Sequence, residues 1–190
     1  MRHTTLSLIA VAALAVPVAA QTNDLAGFEI RTFAGAYVPI GAQRNDFKTA
    51  TMVGAQFAHE LSDHLHLLSS LGWTHGHNKF ANLDDDRTFI WQYDMGFELN
   101  ALQQLDNKWL FRPLVGAGFG GRTYQYKAAG LSNRTCAAGY GNVGSELQRG
   151  VVAVRLDARA YINCFKSPIT RVSENRGDVG LTLGLVYHLR

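Results

Sequence analysis

Residues Thr88 to Ala101 alternate without a break for a dozen positions. Phe89, Trp91, Tyr93, Met95, Phe97 and Leu99 hold the odd positions, and Gln92, Asp94, Gly96, Glu98 and Asn100 the even ones. A period of two places the two sets on opposite faces of one strand. Strands of globular proteins usually run about five or six residues. A tilted strand that crosses a bilayer needs about 9 to 11. A fold that contains this segment must therefore supply an apolar environment for one face and a polar one for the other, along a length that suits a membrane.

The pattern recurs along the chain. Gly27 to Val38 sets Phe28, Ile30, Ala34 and Ala36 against Glu29, Arg31 and Gly35. Thr49 to Leu61 sets Val53, Ala55 and Phe57 against Gly54, Gln56 and Glu60. Leu65 to Trp73, Lys108 to Arg122, Cys136 to Gln148, Val151 to Asn163 and Asp178 to Leu189 alternate in the same way, which makes eight strands in all. Short turns at Ser62 to His64, Gln103 to Asn107 and Arg149-Gly150 alternate with long polar connections at Pro39 to Lys48, His75 to Arg87, Thr123 to Thr135 and Phe165 to Arg176. Short turns at one end and long loops at the other predict an all-β, eight-stranded antiparallel up-and-down barrel. No helix-period segment is read in this part of the chain.

Composition agrees. The 190 residues are 47% hydrophobic yet only 17% charged, with 19 glycines and 11% aromatic residues. Soluble domains usually carry about 25% charged residues. No apolar run outside the N-terminus approaches the roughly 18 residues of a transmembrane helix. Residues 1–20 read as a secretory signal peptide: Arg2 and His3, an apolar stretch from Leu6 to Val16, Pro17, then small residues before Gln21. The expected domain division is thus 1–20 for the signal and 21–190 for the barrel. Removing the signal takes away Arg2 alone among the charged side chains and leaves a formal charge one unit below +3. That balance and the export route argue against nucleic acid as a partner.

Alternation alone does not say which face looks out. A soluble lipocalin-like barrel puts apolar residues inside. The polar face here is rich in glycine, which a crowded lumen uses and an aqueous exterior does not. The aromatic residues also gather in two belts. Trp73, Phe89, Trp91 and Phe119 are read toward the long-loop end, and Phe28, Phe57, Trp109 and Tyr187 toward the short-turn end. Paired belts suit the two interfaces of a bilayer. The apolar face is therefore expected to face lipid.

With that orientation the chain resembles the small eight-stranded outer-membrane barrels of the OmpA/OmpX type over Gly27 to Arg190. The resemblance rests on the signal, the strand count, the loop asymmetry and the last strand. It implies a bacterial outer-membrane location, with both termini in the periplasm. It also implies handling by the barrel-assembly machinery and contact with outer-membrane lipids and lipopolysaccharide. Members of that family often end in an aromatic residue, whereas Leu185, Tyr187 and Leu189 here precede Arg190.

An eight-stranded barrel is only wide enough for its own side chains to fill. The expected lumen holds Glu29, Glu60, Asp94, Glu98, Glu146 and Asp157 against Arg31, Arg112, Arg122, Arg155 and Arg159. An unpaired buried charge is costly, so a near-balanced ionic plug is the expected filling, with a gated narrow pore as the alternative. If Arg149-Gly150 is the turn, Gln148 pairs with Val151 and Cys136 lies opposite Asn163, beside Cys164. A disulfide between Cys136 and Cys164 is then expected in an oxidising compartment.

His75 and His77 share a strand face and have the spacing for a shared metal, with Asp84, Asp85 and Asp86 in the same loop; a solvated polar loop is the simpler reading, and no metal is assigned. Some barrels of this size modify lipid A with a histidine, a serine and an acid near the rim. His75, His77, Ser132 and the three aspartates supply the residue types, but no serine follows the histidines at short spacing. No CxxC, HExxH or strand-to-helix GxGxxG is present. The expected role is structural or surface-interacting, non-enzymatic and without a cofactor. An extracellular ligand would be met through the long loops.

Overall fold

The computed structural model describes residues 27–80, 84–106, 108–166 and 173–189. The signal-peptide reading for residues 1–20 lies outside these residues.

The strands are β1 (Phe28–Ile40), β2 (Ala50–Ser62), β3 (Leu65–His77), β4 (Arg87–Asn100), β5 (Gln103–Asp106), β6 (Trp109–Tyr126), β7 (Arg134–Arg149), β8 (Val152–Lys166) and β9 (Ser173–Leu189). Every pairing is antiparallel. Each of the eight long strands pairs with its neighbours in sequence. β1 pairs with β9 from Phe28↔Leu189 to Ile40↔Gly177, and β4 pairs with β6 from Thr88↔Tyr126 to Asn100↔Leu114. The sheet therefore closes, and no long strand leaves an edge, which is the condition for a sheet surrounded by lipid. β5 is a short continuation of β4 on the lower part of β6, in the stretch that the sequence marks as a plain turn.

The orientation follows the alternation. Phe119 is 73% exposed and Ile162 70%, whereas Arg31 is 1% exposed and Glu98 0%. The barrel thus shows its apolar side chains outward and folds its charged ones in, the reverse of a lipocalin-like arrangement.

Several strands continue three to five residues beyond their expected upper ends, because the ladder goes on wherever a paired neighbour is present. β3 reaches His77 and β6 reaches Tyr126. The polar connections shrink accordingly. In the first of them, residues Gln43–Asp46 form a one-turn helix, α1, too short to leave a helical period in the sequence. It follows Gly41, whose φ of 54° is open mainly to glycine, and it begins with Arg44 N–H donating to Gly41 O at 3.2 Å.

The β7–β8 turn also differs from expectation. Its residues are Gly150, at φ 65°, and Val151, and Arg149 pairs with Val152. The register is shifted by two from the expected pairing. Parity is kept, so the faces are unchanged but the cross-strand partners are not.

Candidate functional site

The lumen is built from the inward positions of all eight long strands. At the short-turn end, Glu29 on β1 accepts from Arg31 Nε at 2.8 Å and from Arg112 Nη1 at 2.9 Å, and faces His188 Nδ1 at 3.0 Å. His188 reaches across to Glu146, with its Nε2 3.2 Å from Oε1. Glu98 on β4 ties the layer together: its Oε1 accepts from Arg31 and Arg155 at 3.0 Å each, and its Oε2 accepts from Arg155 at 2.5 Å.

Farther up, Asp157 accepts from Arg155 at 3.1 Å and from Asn142 at 2.8 Å, with Arg159 Nε 3.7 Å away. Asp94 accepts from Tyr161 at 2.9 Å, Gln92 at 3.0 Å and Ser70 at 3.3 Å. Arg122 pairs with Asp178 and lies over the Tyr161 ring at 3.9 Å. Arg159 lies over Tyr140 at 4.4 Å. Arginine suits these positions because its planar fork meets carboxylates and ring faces with little reorganisation.

Ten of the eleven residues assigned to the lumen from the sequence are here: Glu29, Arg31, Asp94, Glu98, Arg112, Arg122, Glu146, Arg155, Asp157 and Arg159. Glu60 is not. It is exposed beside a bulge between Glu60 and Ser62, where the β2–β3 ladder runs out into its turn and the barrel wall ends. Asp178, fully buried, takes the sixth acidic place. It lies on the inward parity of β9, but at the margin of the strand read from sequence. His66 and His188 complete the lower layer.

Above the ions the lumen changes character. Tyr37, Met52, Ile90, Tyr124 and Tyr126 point inward and pack with Phe47 into one buried apolar cluster, against which Phe80 and Leu131 rest. Phe47 follows α1 and is 1% exposed. The Gln43 side chain, fully buried, donates to the hydroxyls of Tyr37 at 2.8 Å and Tyr124 at 3.1 Å. Asp46 pairs with Arg176. The segment after β1 thus caps the long-loop end with an aromatic stopper. Its sequence signal is the loss of alternation at strand tops, as in Phe89-Ile90-Trp91, where both faces become apolar.

On the outer wall, Trp73 stacks on His75 at 5.9 Å and meets Phe89 at 5.7 Å near the long-loop end, and Trp91 lies one outward step below Phe89. At the other end Phe28 stacks on His59 at 4.4 Å, and Arg149 lies over Trp109 at 5.4 Å. Tyr187 and Phe57 are exposed on the same wall. Phe119 departs from the expected upper belt: it pairs with Met95, midway along β4, and sits within the lipid-facing band.

The cysteines are free. Cys136 shares the inward parity of Ala138 and Tyr140, while Cys164 shares the outward parity of Ile162 and is exposed. The shifted β7–β8 register places Asn163 opposite Ala138. The expected disulfide is therefore corrected: the two thiols lie on opposite faces of the sheet, and a disulfide requires Cβ vectors that converge.

His77 Nδ1 lies 2.8 Å from Asp86 Oδ1, and Lys48 holds the other Asp86 oxygen at 3.4 Å. Arg87 grips Asp85 through Nε and Nη2 at 2.6–3.0 Å, which holds that carboxyl down to about 2. Asp84 accepts from the Ala129 backbone. Among the described residues, His75, His77 and the aspartates do not gather into a three-ligand group, and Ser132 makes no hydrogen bond to either histidine.

This is the fold of small eight-stranded outer-membrane β-barrels. Among solved structures, the chain is similar to Neisserial surface protein A, with TM-score 0.63, 12% identity, and coverage of 86% of this chain and 98% of that one. It is also similar to OprG from Pseudomonas aeruginosa, with TM-score 0.48, 15% identity and coverage of 86% and 97%. The outer membrane enzyme PagL matches with TM-score 0.43, 11% identity and coverage of 85% and 99%. No family model matches the chain, and no curated protein matches it.

Proposed function

We propose that this chain is an exported bacterial outer-membrane barrel with a structural or surface-interacting role, closed to solutes. Residues 1–20 act as the signal and 21–190 as the barrel. The short-turn end faces the periplasm, and the long loops face outward for any extracellular ligand. The last strand is what the assembly machinery would engage, and lipopolysaccharide and other outer-membrane lipids are the surrounding partners.

One observation carries the reading: buried side chains occupy the lumen along its length, in ion pairs from Glu29 to Asp178 and in the Phe47 stopper above them. A filled eight-stranded barrel has no room for a water column. The test is planar-bilayer recording of refolded protein. A flat current trace is expected, and steady unitary conductance from the unaltered chain refutes closure. Residence is tested by fractionation and by a mobility shift between unboiled and boiled samples; a water-soluble, unshifted protein refutes it.

A further inference from the structure

The sheet register stacks the outward residues near the long-loop end in rows. His77 pairs with Arg87, whose carbonyl accepts the Lys127 N–H at 3.1 Å, so the top row is His77, Arg87 and Lys127. The row beneath is Thr51, His75, Phe89 and Gln125. Next comes Val53, Trp73, Trp91 and Thr123, and then Ala55, Leu71, Tyr93 and Gly121. Charge gives way to imidazole and phenyl, then to indole, then to Leu71 and Ala55 beside the Tyr93 ring. Successive rows lie two residues apart, so with the usual strand tilt the cationic row stands about 10 Å above the tryptophan row. If the indoles sit at the interface, the cations reach lipid phosphates.

The cations differ in availability. Lys127 lies over the Phe89 ring, with Nζ 5.0 Å from the centroid, and has no carboxylate partner among the described residues. Asp85 occupies Arg87 Nε and Nη2 and leaves Nη1 to donate elsewhere. Lys48 is exposed but gives one donor to Asp86 at 3.4 Å.

We infer that this ledge on β2, β3, β4 and β6 seats one phosphorylated glycolipid of the outer leaflet. Lys127 and Arg87 take its phosphate, the Trp73–His75–Phe89 rings take a sugar face, and Leu71 and Val53 lie along its acyl chain. The stacked rings favour a sugar over a simple phospholipid headgroup. The inference rests on the membrane reading above and names the lipid and its seat.

Native mass spectrometry of the refolded barrel in detergent tests it, with a diphosphorylated disaccharide lipid, phosphatidylglycerol and phosphatidylcholine as probes. The glycolipid is expected to be retained best. Lys127→Glu reverses a charge at the seat and should weaken retention about tenfold, whereas Arg149→Glu, which alters the cation on Trp109 at the opposite end, should leave it within about twofold. The ledge is refuted if Lys127→Glu holds the glycolipid as the unaltered chain does, if Arg149→Glu weakens it equally, or if phosphatidylglycerol binds as well. A barrel that still shifts on boiling but shows no glycolipid preference refutes the ledge and leaves the membrane fold standing.

Discussion

Replacing Glu98 by Gln removes one charge and keeps the volume. In the native lumen each Glu98 oxygen accepts from guanidinium groups, Oε1 from Arg31 and Arg155 and Oε2 from Arg155 again. Whichever way a glutamine amide turns, its NH2 meets a donor from Arg155. The group is 0% exposed, so water does not repair the contact. Breaking a buried ion pair from one side typically costs about 3 to 5 kcal/mol. Both arginines keep other carboxylates, Arg31 at Glu29 and Arg155 at Asp157, which places the cost at the lower end. About 3 kcal/mol corresponds to roughly a 150-fold loss in the folding equilibrium. Reversible urea unfolding in vesicles, followed by tryptophan fluorescence, reads this directly. Glu60→Gln is the control, since Glu60 is exposed and should change stability by less than about 0.5 kcal/mol. If Glu98→Gln unfolds within about 1 kcal/mol of the unaltered chain at equal slope, the network is not what satisfies the lumen.

Three further expectations follow from other parts of the barrel. Gly96→Ala would set a Cβ 2.3 Å from the Tyr140 hydroxyl and 2.4 Å from the Ala117 carbonyl, and should destabilise by about 1 to 3 kcal/mol, while Gly139→Ala, whose Cβ meets nothing nearer than 3.9 Å, should be tolerated in the same unfolding assay. Unreduced protein, unfolded and treated with maleimide, should take two labels; in the folded barrel Cys164 should react well before Cys136, and a chain that takes none when unfolded would overturn the placement of the thiols on opposite faces. Asp85 should titrate near pH 2 by carbon NMR, because Arg87 stabilises its charged form: the link is intact above the ordinary aspartate range and is lost as pH falls toward 2, and Arg87→Gln should return the midpoint to about 3.9.

Strand count, closure and facing were legible because few folds besides a membrane barrel sustain a period of two over so many residues, and Glu98 and Phe97 show it side by side. Parity survives an error of two in register, so the faces of Arg155, Asp157 and Arg159 were readable although the β7–β8 partners were not. The same robustness does not extend to a disulfide, which depends on one residue of register and on facing together; Cys136 and Cys164 fail the second condition. Alternation does not decide Glu60 and Asp178, because both sit at strand margins, where a bulge or a few more paired residues decides burial. The stopper was hidden for another reason. Gln43 and Phe47 come from a polar-looking connection, and their burial depends on where Tyr37 and Tyr124 happen to meet, 87 residues apart in the chain.

Some ion pairs of the lumen lie within one strand, as Glu29–Arg31, or between paired strands, as Arg112–Glu146, but others span the barrel. Arg31 reaches Glu98 across 67 residues, Arg112 reaches Glu29 across 83, and Arg122 reaches Asp178 across 56. A hairpin or a half-finished sheet therefore leaves these cross-barrel contacts unmade, and only ring closure brings β1, β4, β6 and β9 to a common centre. A half-built barrel would have to expose those charges to hydrocarbon, where each is expensive. Insertion of this chain should consequently be all-or-none, with open intermediates confined to water or the membrane surface and strand closure and charge neutralisation arriving as a single event.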